Sequence, residues 1–88
     1  MQDNKKTYQG WINKETWVVN LWLNNDTGFN KILETAIDLE SSVHKKAKWL
    51  EAVMQKETYD LPIELSIWLD LLVTAMGNVD WLEIIENN

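Results

Sequence analysis

Apolar residues recur at helical spacing along most of the chain, and short polar breaks cut them into four or five segments. The first opens at Asn13, a good N-cap, with Glu15 favourably placed in the first turn, and runs to about Leu23. Trp17, Val18, Val19, Leu21, Trp22 and Leu23 cover about two-thirds of its circumference at about 100° per residue. Asn13, Thr16, Asn20 and Asn24 form the remaining polar strip. Val18 and Val19 are β-branched and admit a strand, but the run lacks alternation and the cap favours a helix. Trp17 and Trp22 are expected in the core.

Asn24 to Gly28 is a loop by composition, with Asp26 or Thr27 capping a second helix that carries Phe29, Ile32, Leu33, Ala36, Ile37 and Leu39. Ser41-Ser42 reads as a break with a new cap, a continuous helix being the alternative. The next segment, ending near Glu57, sets Val43, Ala47, Leu50, Val53 and Met54 on one side. His44, Lys45, Lys46 and Lys48 lie toward the other. Tyr59 to Pro62 is a turn in which Asp60 caps and Pro62 occupies the first turn of a helix stopping at Gly77. Leu65, Trp68, Leu69, Leu72 and Met76 are its expected core face, and Ser66, Asp70 and Thr74 its polar strip. Asp80 and Glu83 have capping-box spacing for a last short helix with Trp81, Leu82, Ile84 and Ile85. The expectation is an all-α compact bundle of four to five short helices over residues 10–88, behind a flexible lead at residues 1–9.

Two of these helices are apolar over about 240°, more than a chain of 88 residues covers easily, so a two-fold homodimer or an obligate partner is expected. Six tryptophans sharpen the point: the core is unusually aromatic, or some of them face a partner.

Charge adds a direction. The net charge is −6, yet residues 1–57 balance eight acids against eight lysines. The excess lies in Asp60, Glu64, Asp70, Asp80, Glu83 and Glu86, with no basic residue after position 57. Such a segment repels nucleic acid and attracts basic surfaces, although acids also simply keep an apolar protein soluble. Arginine is missing altogether, which removes bidentate phosphate and guanine recognition.

Candidate chemistry is sparse. The absence of cysteine excludes disulfides, thiolate metal sites and a thiol nucleophile, and favours a reducing cytoplasm. His44 stands among lysines on an expected solvated face, a poor setting for a general base. The three glycines make no phosphate loop, and neither EF-hand nor zinc spacing occurs. No catalytic residue, metal or cofactor is expected. Lys45, Lys46 and Lys48 read as a solvated face rather than a nucleic-acid contact. Asn13-Glu15-Thr16 reads as a cap, or as a polar strip orienting a buried backbone loop. The start lacks an apolar run after Lys5 and Lys6, so no signal peptide is expected, and no stretch is long enough for a membrane span.

Gly10 to Asp26, reading GWINKETWVVNLWLNND, resembles a family of small bacterial, archaeal and phage proteins with a GWxNxETWxVxLWLxND signature. Leu69 to Met76 and Asn78 to Ile85 resemble the C-terminal block of the same family. The resemblance brings no established activity, catalytic residue or cofactor. It implies a small accessory protein of the kind mobile elements carry, for which inhibition of a host nucleic-acid-targeting defence complex is the expected role. The expected binding residues are Asp60, Glu64, Asp70, Asp80, Glu83, Glu86 and Trp11, presented to a basic, nucleic-acid-binding surface of a host protein. A structural or regulatory oligomerisation module is the alternative.

Overall fold

Four of the five helix starts have a local chemical cause. In a computed structural model, which describes residues 7–61 and 67–88, the order is α1 (Lys14–Asn25), α2 (Thr27–Asp38), α3 (Val43–Tyr59), α4 (Ile67–Gly77) and α5 (Trp81–Glu86). Side chains of Asn13, Asp26, Ser42 and Asp80 accept the backbone N–H three residues on, satisfying one of the donors that a helix start leaves open. The protein is all-α. Asp26 rather than Thr27 caps α2, and Ser42 separates α3 from α2. The expectation that Pro62 opens α4 lies outside the described residues, as does Leu65.

The core gathers Leu23 of α1, Leu33 and Ala36 of α2, and Ala47 and Leu50 of α3 with Val79, Trp81, Ile84 and Ile85 around α5. The short α5 packs chiefly on α3 and also reaches α1, α1 lies along α2, and α4 leans only lightly on α3. Trp81 is buried, and Trp11 and Trp49 are half-buried against this core.

The start of α1 is fastened rather than loose. Gln9 (φ 50°) and Gly10 (φ 85°) are the central residues of a tight turn in which Tyr8 and Trp11 exchange both backbone hydrogen bonds, at 2.9 and 2.7 Å. Positive φ at both positions suits a hairpin turn, and glycine takes the second at little steric cost. The Tyr8 ring then meets Trp17 edge-on at 5.1 Å, and the Thr7 hydroxyl donates to the Ile12 carbonyl. Residues 7–9, expected within a flexible lead, are therefore folded back onto α1.

The larger departure concerns which way α1 faces. Its polar strip, Asn24 aside, turns toward α5. Thr16 is fully buried, and its hydroxyl donates to Asn13 Oδ1 at 2.7 Å while accepting the Asp80 N–H at 2.9 Å. Asn13 Nδ2 donates to the Asn78 carbonyl at 2.7 Å, and Asn88 Nδ2 donates to Asn20 Oδ1 at 2.8 Å. Val18, Leu21 and Trp22 consequently face outward, Trp22 with 59% of its surface exposed. The expectation that Trp22 fills the core is corrected: α1 turns its polar side to α5, because the approach to α5 brings the Asp80 N–H and the Asn78 carbonyl, which only polar partners satisfy. Trp17 is half-buried. Trp68, expected on the core face of α4, is also outside, at 68% exposed.

Replacing Thr16 by Val keeps the shape and deletes the hydroxyl, leaving the Asp80 N–H without its acceptor. The expected loss is about 1–3 kcal/mol, read from the urea midpoint at constant slope. A loss below about 0.5 kcal/mol, the level of an ordinary surface change, would deny the network this role.

Candidate protein-binding face

α1 offers an apolar stripe built by its own periodicity. Val18, Leu21 and Trp22 stand at i, i+3 and i+4 and so share one side, opposite the strip that bonds to the α4–α5 connection. A shallow hollow of about 350 Å³ lies at its C-terminal end, lined by Leu21, Trp22, Asn25 and Asp26. The Asp26 carboxylate caps α2 through Oδ2, which accepts the Phe29 N–H at 3.0 Å, and is half-exposed beside the hollow. Lys14 stands at the other end, its ammonium 5.8 Å from the Tyr8 ring centre.

The acids expected to form a binding face divide: two are engaged within the fold, one sits in an exposed ion pair and two are exposed. Glu83 is only 5% exposed, and its Oε1 accepts the Ile12 N–H at 3.1 Å across 71 residues of chain. It is a structural carboxylate that satisfies a backbone donor, not a group offered to a partner. Asp80 spends Oδ1 on the Glu83 N–H at 3.0 Å as the cap of α5. Asp60 pairs with Lys56 one turn back at 2.9 Å. That hydrogen bond and the Asp60 charge raise the Lys56 amine above its ordinary 10.5. Asp70 on α4 and Glu86 at the end of α5 are exposed. Glu64 lies outside the described residues. Trp11, the remaining expected contact, packs half-buried against the core.

Sequence reasoning therefore named the acids and missed Leu21 and Trp22 as surface. The available signal was Asn13-Thr16-Asn20, whose spacing marks a strip that buried donors can use.

A second, larger depression of about 500 Å³ runs between α3 and the α4–α5 connection. His44, Lys48 and Glu51 line it from α3, facing Asp80 over a floor that includes Trp81. His44, expected on a solvated face, is exposed at its rim. Cation and carboxylate are mixed there, with no single-sign pocket. Among the described residues no group of three or more His, Asp or Glu is placed to hold a metal ion, and no helix is long and apolar enough to cross a membrane.

Residues 4–84 match the model of the family of unknown function DUF7249, and the chain belongs to that family. No curated protein and no solved structure matches it.

Two outcomes separate structural from surface acids. Glu83→Ala is expected to destabilise by about 1–3 kcal/mol in thermal or urea unfolding, since it orphans the Ile12 N–H, whereas Glu86→Gln changes stability by less than about 0.5 kcal/mol. Asp60→Asn is expected to return the Lys56 amine toward 10.5 in an NMR titration. A raised lysine pKa stabilises below the free lysine's value, neutral pH included, and that contribution is lost as pH climbs through the raised one; here the pair is exposed and screened by solvent, so removing it costs no more than an ordinary surface change.

Proposed function

We propose that this member of the DUF7249 family is a non-enzymatic binding protein whose contact face is the outward stripe Val18-Leu21-Trp22 of α1. The single observation that carries this reading is the orientation of that helix. Its polar side is consumed by internal hydrogen bonds, and its apolar side meets solvent. Leaving most of a tryptophan and part of two aliphatic residues in water on one helix face is a cost that a partner removes, and tryptophan is among the residues enriched at interface anchors.

The partner that fits is a protein presenting an apolar side chain beside lysine or arginine. The apolar group enters the hollow at Leu21 and Trp22, and the basic group meets Asp26. The net charge of −6 steers such a partner inward at long range, with Asp70 and Glu86 contributing although they sit on other elements. Basic surfaces of this kind belong to nucleic-acid-handling proteins. Together with the resemblance to small mobile-element proteins, this supports the finer reading: inhibition of a host defence nuclease complex from the cytoplasm by covering its nucleic-acid site. Compared with the sequence-based expectation, the weight moves from the acids to the α1 stripe, because Glu83 and Asp80 are engaged in the fold and Asp60 is paired with Lys56.

The test is capture of host partners with the wild-type protein and with Trp22→Ala, followed by competition between the protein and DNA or RNA for whatever is retained. The expected result is a nucleic-acid-binding partner that releases its nucleic acid, with Trp22→Ala weakening the contact about 30-fold at unchanged stability. Retention of the same partner by Trp22→Ala at equal affinity would remove α1 from the interface. A captured protein whose nucleic-acid binding is undisturbed would remove the inhibitor reading.

A further inference from the structure

α4 is apolar on nearly every side, and the body covers only one of them. Leu69, Leu72, Ala75 and Met76 are half-buried. On the far side Ile67 and Trp68 are 66% and 68% exposed, and Leu71 is also more exposed than buried. At about 100° per residue, Ile67, Leu71 and Trp68 span one continuous arc of about 100°, with the half-buried Ala75 near its Trp68 edge, where the covered side begins. Asp70, the one charged residue of this helix, lies about 60° beyond the edge of that arc. A helix apolar all round is ordinarily covered on all sides.

We infer that a second copy of this chain covers the Ile67-Trp68-Leu71 stripe, pairing α4 with α4 about a two-fold axis. Three features select that occupant. The stripe itself carries no charge, so two copies meet there without bringing like charges together, despite the net charge of −6 on each. A basic partner would gain nothing electrostatic from it and is served better at α1, beside Asp26. The area also fits: two-thirds of a tryptophan with the exposed shares of Ile67 and Leu71 gives on the order of 300–400 Å² of apolar surface per copy. That is roughly half of the ~800 Å² each partner of a standard interface contributes, the share an apolar centre takes inside a more polar rim. The same patch on both copies is self-complementary, as a two-fold pair requires. This pairing does not depend on the α1 reading, and the two faces have separate variants.

Sedimentation of the full chain over a concentration series tests it, with helix content followed by circular dichroism. Wild type is expected to pass from monomer to dimer as concentration rises. Trp68→Lys and Leu71→Asp, each placed on exposed surface, are expected to stay monomeric at concentrations where wild type is at least half dimeric, with helix content retained. Trp22→Lys is expected to dimerise like wild type while losing partner capture. A wild type that is monomeric throughout, or a dimer that survives both α4 substitutions, overturns the inference. A dimer lost only in Trp22→Lys would move self-association to α1, overturning it as well.

Discussion

One buried hydroxyl sets the orientation on which the surface depends. Thr16 links the cap of α1 to the cap of α5, accepting the Asp80 N–H while donating to Asn13. Glu83 adds a second tie in the same direction by accepting the Ile12 N–H. Two of these bonds, from the Asp80 N–H to Thr16 and from the Ile12 N–H to Glu83, join segments more than sixty residues apart through buried side chains, where an unmet group costs more than a met one gains. Rotating α1 to bury Trp22 would gain apolar area and orphan several of these groups at once.

The apolar outer side of α1 is thus a by-product of where its polar side is needed. A helix with apolar residues over about two-thirds of its surface has more of them than one contact can hide. Leu23 reaches the core and Val19 packs against it, while Val18, Leu21 and Trp22 are left over. α4 repeats the situation with almost no polar side to orient it. The protein therefore carries two apolar stripes on separate helices, a pattern suited to engaging more than one neighbour.

The helices were legible in the sequence because their signals are local. Asn13, Asp26, Ser42 and Asp80 each cap within three residues, and Ser41-Ser42 marked the break before α3. Facing was not legible, because it is decided by distant groups. Periodicity assigned Asn13, Thr16, Asn20 and Asn24 to a polar side without saying whether water or α5 would meet it. The choice of Trp68 as core failed for a related reason: an apolar residue at almost every position of α4 leaves the pattern without a direction. Glu83 reads as a capping-box member and as an acid for a basic partner, and nothing local points to its bond with Ile12, which stands at the opposite end of the chain.

The tie between the two ends has a consequence for synthesis. Residues 11–25 leave the ribosome long before residues 78–88, so the nascent α1 has nothing to receive Asn13 and Thr16. Until the Asp80 N–H and Glu83 carboxylate arrive, packing on α2 alone orients that helix, and its polar side has no partner to hold it. The front and back of α1 are fixed together only once α5 has been made.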